Sequence, residues 1–281
     1  MKDGGYQEFM LARAAYLAPL PESLDFVEAA PVMCAGMTVF SGLRHAGFQT
    51  GHKVAVIGLG GLGHFGALYA KAMGGRVAVI STSAEKKAEA QELGAERFIH
   101  AQKESVADAL RSWEGGADII LATPTSLEPI TAAFSGLAPD GTMVVVGVGP
   151  GNLSIDPMVL IMGRRRLMGS PAGSRKALRE ALAFARAHGL RPKTRRFPLA
   201  QAGEALAGMQ TGHMTGRAVL ILRDARYLWA CNSGPTASPV HPFPEGVTGL
   251  GWNALVRNAL VNLPKLRLHL EFPSLSSSSM R

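Results

Sequence analysis

One run of eleven residues limits what this chain can become: Lys53-Val54-Ala55-Val56-Ile57-Gly58-Leu59-Gly60-Gly61-Leu62-Gly63. An apolar, β-branched segment ends in Gly-x-Gly-Gly-x-Gly, and a helical pattern follows from His64 to Met73. Strand, glycine turn and helix in that order make the opening of a dinucleotide-binding βαβ unit. Gly58 permits the tight turn. Gly60 lets the backbone approach a pyrophosphate with no Cβ in the way. Gly63 lets the helix lie close to the strand. Together with Gly61 and Leu62 they form the candidate phosphate loop, where the free N–H groups and dipole of a helix N-terminus favour negative charge.

Glycine-rich turns also occur in folds that bind nothing, so the context matters. A second strand, Arg76-Val77-Ala78-Val79-Ile80, follows and ends near Ser81, about twenty residues beyond the motif. From residue 53 to 170 the alternation continues. Strands are expected at 53–58, 76–81, 96–99, 117–122, 142–147 and 166–169. Helices are expected at 61–73, 84–93, 103–112, 126–137 and 157–163, with a turn at Leu137-Ala138-Pro139-Asp140-Gly141. The expected fold is α/β: a doubly wound parallel Rossmann sheet with helices on both faces and right-handed crossovers. Before it, Glu22–Ala30 reads as a turn into a helix, and a second helical pattern runs from Thr38 towards Gly47. After it, Lys176–His188 is an amphipathic helix and Val219–Leu222 a short strand. Residues 224–281, rich in Pro, Gly, Ser and Thr and ending in a serine run, read as a largely irregular extension, with a helix around Trp252–Leu263.

The end of the second strand selects the cofactor. NAD enzymes place a carboxylate there for the ribose 2′-hydroxyl. This chain has Ser81-Thr82-Ser83, then Lys86 and Lys87. Hydroxyls can donate to phosphate oxygens and a lysine supplies positive charge, so these residues favour NADP(H). The plainer reading is that Ser83 caps the next helix, and both can hold.

Bulk properties exclude several classes. No uninterrupted apolar run reaches the ~18 residues of a membrane helix, and Met1–Gly5 lacks a signal core, so no membrane partner is expected. The two cysteines, Cys34 and Cys231, form no CxxC pair, which suits a reducing cytoplasm. The formal charge is +8, but the dense basic cluster Arg164-Arg165-Arg166 has no aromatic residue interleaved and no nucleic-acid motif accompanies it. A nucleic-acid partner is not expected.

Several separated segments resemble, in order, the zinc-containing alcohol dehydrogenases of the medium-chain dehydrogenase/reductase family, and within it the NADP-dependent, cinnamyl-alcohol-dehydrogenase-like aldehyde reductases. They are Gly5–Phe9, Ala30–Phe40 around Cys34, Gly58–His64, Glu92–Ala95, Asp140–Thr142, Arg165–Ser170 and Gly216–Val219. The resemblance covers about residues 5–223. It implies Cys34 as a catalytic zinc ligand, Thr38 on the nicotinamide side of the pocket, Val146 and Val148 flanking the nicotinamide ring, and Arg217 reaching the pyrophosphate. On residue type alone, Cys34 would be a small buried apolar side chain and Arg217 a solvated one. The implied activity is hydride exchange between NADP(H) and a primary alcohol or aldehyde, with a homodimer formed through the last strand near Gly169-Ser170.

The chain departs from the family in one respect. The family's remaining zinc ligands include a His-Glu pair, and no His-Glu pair or cysteine cluster occurs in this sequence. The resemblance therefore implies a chain lacking the N-terminal part of a GroES-like catalytic domain. Residues 1–37 are expected to be a remnant of that domain and its linker helix. Residues 38–170 form the NADP-binding unit, 171–223 a return segment, and 224–281 the extension. Two other readings stand beside this one. A stand-alone nucleotide-binding module needs no metal ligands. A zinc-free quinone-oxidoreductase-like reductase needs none either, but has no use for Cys34.

Overall fold

The computed structural model describes residues 5–6, 9–11, 16–147, 149–210, 216–222 and 255–257. Strand β1 (Phe9–Leu11) is followed by helix α1 (Phe26–Pro31), which runs through a π-helical segment (Val32–Gly36) into α2 (Met37–His45). Then come β2 (Lys53–Ile57), α3 (Gly61–Ala72), β3 (Arg76–Ser81), α4 (Lys86–Glu92), β4 (Arg97–His100), α5 (Val106–Arg111) and β5 (Ala117–Ala122). Next are α6 (Glu128–Phe134), β6 (Leu137–Val145), α7 (Pro157–Gly163), β7 (Arg166–Gly169) and α8 (Arg175–Ala187). The chain continues through β8 (Thr194–Pro198), α9 (Ala202–Gln210), β9 (Arg217–Ile221) and β10 (Leu255–Arg257).

Six strands form one parallel sheet in the order β4-β3-β2-β5-β6-β7. The order reverses between β2 and β5, so the switch point of this doubly wound sheet lies where Ile57 and Ala122 end their strands. Burial follows the two-residue period of the strands. Val54 and Val56 join Val39, Phe40, Leu43, Phe65, Tyr69 and Leu182 in one core, under α2, α3 and α8. Ala55 and Ile57 join Leu110, Trp113, Ile120, Ile130 and Phe134 in the other, under α5 and α6. A central strand covered on both faces needs apolar residues at every position, which explains the unbroken Val-Ala-Val-Ile run. The Tyr69 hydroxyl donates to the Ala181 carbonyl at 2.9 Å, and burial pushes that phenol well above its usual value.

Several boundaries differ from the sequence expectation. Helix α6 stops at Phe134 rather than 137, and the expected turn at 137–141 lies inside β6. Asp118 alone opposes residues 138–141 in the β5–β6 ladder, and Asp140 sits at φ +62°. The turn chemistry is therefore used as a wide bulge within a strand. Strand β6 ends at Val145, and Val146 follows as irregular backbone. Near the other end, Leu255–Arg257 pair antiparallel with Phe9–Leu11. A strand thus stands inside the stretch expected to be helical, and the rest of 252–263 lies outside the described residues.

Phe26–His45 makes 20 consecutive helical residues with a mean hydropathy of 1.5, long and apolar enough by composition to cross a membrane. Its most apolar window is 72% buried inside the protein. It is a core helix whose apolar residues cover α3 and α8. The basic cluster is also absorbed by the fold. Arg164 pairs with Asp140 through Nε at 2.7 Å, Arg165 donates to the carbonyls of Leu137 and Val159, and Arg166 donates to the Asp140 carbonyl. All three brace the bulge in β6.

Candidate functional site

The glycine turn sits at the switch point. Gly58 has φ +82°, a conformation L side chains rarely adopt, and its N–H continues the ladder to Ile80 O at 2.8 Å. Gly60 is the N-cap of α3, and a Cβ there would meet nothing within 4 Å. At Gly63 a Cβ would fall 1.9 Å from the Gly58 carbonyl oxygen. The three glycines therefore differ in kind: one sets the turn, one leaves open space above the loop, and one permits the close approach of helix to strand. Leu62 packs partly buried against the core.

Two neighbours of the turn were not expected from sequence. At Gly66 a Cβ would fall 2.6 Å from Leu121 Cδ2. The Thr123 hydroxyl donates to Ile57 O at 2.7 Å, tying the ends of β2 and β5 together. A glycine three residues after Gly63 was a legible signal of continued close packing. Thr123 had no signal, because it is paired by topology and not by spacing.

Arg217 opens β9, some 150 residues further along the chain, and its guanidinium packs on the loop. A Cβ on Gly61 would fall 2.6 Å from Arg217 Cζ and Nε. Burial holds this guanidinium below its usual range, and the nearby Cys34 partly opposes the shift. Its Nε is buried with no hydrogen-bond partner. A desolvated cation with an unused donor at a helix N-terminus suits an anion. It is not the solvated surface arginine of the plainer reading.

Cys34 lies in the π-helical segment, and its side chain is exposed. That rules out the small buried core cysteine. Thr38, one turn on, is 7% exposed. Helix α2 then passes Gly42 against the end of β6: a Cβ on Gly42 would lie 3.2 Å from Val144 and 3.6 Å from Val146. The N–H groups of Val146 and Gly147 both reach the Ala122 carbonyl, at 3.0 and 3.1 Å. Val146 and the Thr38 helix thus flank the carboxyl end of the sheet. Val148 lies outside the described residues.

At the end of β3, the Ser83 N–H donates to Ser81 Oγ at 3.2 Å. Thr82 is exposed. Ser83 does not cap α4 with its side chain; the N-cap position is Glu85, and the Lys86 N–H reaches only the Ser83 backbone carbonyl. Lys86 is held by Glu89, with Nζ 2.9 Å from Oε2. Glu89 in turn faces His64 on α3, at 3.4 Å. These two residues also border a cavity of about 600 Å³ between α3, α4 and the turn after α8, separate from the glycine loop.

Residues 61–187 match the family model described as zinc-binding dehydrogenase. An alcohol dehydrogenase of Geobacillus stearothermophilus is 36% identical over 222 residues, 79% of this chain and 66% of that protein. Among solved structures, a cinnamyl alcohol dehydrogenase of Sorghum bicolor matches at 30% identity and TM-score 0.64, over 74% of this chain and 60% of that one. The chain belongs to the zinc-type alcohol dehydrogenase family. A Helicobacter pylori cinnamyl alcohol dehydrogenase, solved as a complex with NADP(H), matches at 25% identity and TM-score 0.63. It is covered over 57% of its length and covers 72% of this chain. The chain spans about two thirds of the length of the curated relatives it matches. The glycine loop, Ser81–Lys86 and Val146 lie at the carboxyl edge of the parallel sheet, with Arg217 packed on the loop.

Proposed function

We propose that this chain binds NADP(H) across the carboxyl edge of its sheet and is the cofactor-binding part of an oxidoreductase. That enzyme exchanges a hydride between the cofactor and a primary alcohol or aldehyde. The observation that carries the reading is Arg217, a half-buried cation whose buried Nε is unpartnered, packed on Gly61 at the N-terminus of α3. The pyrophosphate would lie over Gly58–Gly63, bonded by the free N–H groups of α3 and by Arg217. Ser81, Thr82 and Ser83 offer hydroxyls to the 2′-phosphate and Lys86 a charge; a carboxylate, which would repel it, is absent from those four positions. The nicotinamide would rest near Thr38 and Val146, where apolar walls keep water from the hydride path. NADP(H) supplies the hydride chemistry, and these residues orient and enclose it.

Zinc does not fit the residues described. Catalytic zinc takes about three protein ligands. Cys34 offers one, and among the described residues no three His, Cys, Asp or Glu side chains gather to hold a metal. No zinc-bound step is assigned to them. The purified 281-residue chain is accordingly expected to bind NADPH, seen as a change in nicotinamide fluorescence on titration, without reducing benzaldehyde. Absence of any fluorescence change would sink the cofactor reading; steady NADPH-dependent reduction would sink the claim of inactivity.

In this reading residues 38–170 form the NADP-binding unit, but Ala29, Val32 and Ala35 before it and Ala181, Leu182 and Ala185 on α8 share one core with Val54 and Val56. The unit therefore takes in both of those helices, and only the remainder of 1–37 and 171–223 is assigned to the family's second domain. Exposed Met158, Ile161, Met162 and Leu167 cluster on α7 and the edge strand β7. They support a homodimer through that edge. Two widely spaced cysteines support a cytoplasmic setting.

A further inference from the structure

Lys86 does not stand alone at the end of β3. Its ammonium is 2.9 Å from Glu89 Oε2, one helical turn on. Glu89 is 8% exposed, on a helix whose neighbours Lys87, Ala88, Gln91 and Glu92 all face solvent. Carboxylates are almost never buried unless paired. The other oxygen, Oε1, faces His64 Nδ1 at 3.4 Å, and neither atom has a hydrogen-bond partner within normal range.

His64 cannot easily take the place of Lys86. The Lys193 backbone N–H donates to His64 Nε2 at 3.1 Å. An accepting Nε2 leaves the ring proton on Nδ1, facing the carboxylate, so the imidazole is neutral. Burial pushes its pKa down, in the same direction. Glu89 therefore has a neutral donor on one side and a single cation, Lys86, on the other.

We propose that Glu89 is a positioning residue for cofactor specificity: by tethering the Lys86 ammonium at the end of β3, it presents a stationary positive charge to the 2′-phosphate that distinguishes NADP(H) from NAD(H). This rests on the NADP(H) reading above. Lysine carries a long flexible stem, and ordering it on binding costs rotamer freedom. The tether has already removed that freedom. An ammonium has three donors; Glu89 takes one, leaving two for phosphate oxygens. The Lys86 side chain is 28% exposed against 9% for Glu89, so a ligand arriving from solvent meets the cation before the carboxylate.

The test is equilibrium fluorescence titration of NADPH and NADH on the full chain. Glu89→Gln keeps the volume and the hydrogen-bonding capacity and removes the charge that holds Lys86. NADPH affinity is expected to fall about fivefold, the scale of one exposed charge contact, with NADH affinity unchanged. In a Lys86→Met background the same substitution should change neither affinity. Unchanged or tighter NADPH binding in Glu89→Gln overturns the proposal. Equal loss for both cofactors also overturns it, because a purely structural role would produce that. Should Glu89→Gln fail to fold by circular dichroism, Glu89→Asp, which keeps the buried charge but withdraws it by one methylene, is read by the same criteria. A wild-type chain that binds both cofactors equally well keeps the nucleotide site and refutes the role of Lys86 and Glu89. One that binds neither refutes the nucleotide reading and this inference with it.

Discussion

Gly60 and Gly63 are both motif glycines, yet the structure predicts opposite consequences for replacing them with alanine. At Gly63 the new methyl would begin 1.9 Å from the Gly58 carbonyl oxygen, whereas real Cβ atoms essentially never come within 3.0 Å of a neighbour. Relief requires a shift of more than an ångström in backbone. The obstructing carbonyl belongs to a residue held at φ +82° whose N–H is bonded to Ile80 O, so it cannot yield alone. Overpacking of this kind costs about 1–3 kcal/mol, and the backbone nature of the clash places Gly63→Ala near the top of that range. About 3 kcal/mol corresponds to a fall in Tm of roughly 6–12 °C for a chain of this size.

At Gly60 the methyl would meet nothing within 4 Å, and φ −89°, ψ −161° is extended backbone that alanine adopts freely. Reduced entropy of the unfolded chain favours the variant, and the poorer N-cap opposes it. The two effects leave stability within about 0.5 kcal/mol of wild type. The open space above Gly60 is where the pyrophosphate is proposed to lie, so Gly60→Ala should weaken NADPH binding about tenfold, or 1.4 kcal/mol. Urea unfolding gives the first quantity and NADPH titration the second. A Gly63→Ala chain with an unshifted midpoint, or a Gly60→Ala chain that loses stability but not affinity, would refute the division of roles.

Arg217→Met should weaken NADPH and NADH about equally, because both carry the pyrophosphate, and should flatten the salt dependence of binding; unchanged affinity at low salt would remove Arg217 from the site. Ser81→Asp places a carboxylate where the 2′-phosphate is proposed to bind, so the NADPH-to-NADH affinity ratio should fall at least about tenfold, and an unchanged ratio would count against that position. His64 supplies a pH dependence. Its pKa is lowered by burial, with Glu89 opposing and Lys193 and Lys86 adding to the depression. The unfolded chain then binds the extra proton first. Stability from this group is complete above the usual value of 6.5 and declines as the pH falls below it, by at most about 1.4 kcal/mol per pH unit. His64→Phe should flatten that limb in urea unfolding between pH 5 and 7, on the order of one proton's worth of slope; an unaltered slope would mean His64 is not held neutral.

The sheet was legible because the signal that forms it is local. Val54-Ala55-Val56-Ile57 needs no partner to be recognised as a doubly covered strand, and Gly58 and Gly63 announce their turn by spacing alone. Boundaries failed where one local signal served a different structure. Pro139-Asp140-Gly141 has real turn chemistry, but the pairing of β6 with β5 on both sides converts the turn into a bulge braced by Arg164 and Arg166. Ser83 has real capping chemistry, but α4 begins three residues later, at Lys86, and Glu85 takes the N-cap position.

The candidate site was legible only in its separate parts, and the reason is distance along the chain. Nothing in residues 58–63 says that Arg217 will rest on Gly61, and nothing near Arg217 says that it will be half-buried with its Nε out of solvent. β8 and β9 pair in parallel, and the Arg217 N–H is bonded to the Lys193 carbonyl. The N–H of Lys193 is bonded in turn to His64, on the same helix whose N-terminus the guanidinium covers. One backbone residue thus links the arginine to the helix, from a segment that composition alone would read as basic and solvated. His64 and Glu89 were hidden for the same reason: they lie a helix and a strand apart, and only the parallel βαβ crossover brings them face to face. The residues proposed to position charge are therefore those least visible to spacing, while the glycines of the turn, proposed to make room for the ligand, are the most visible.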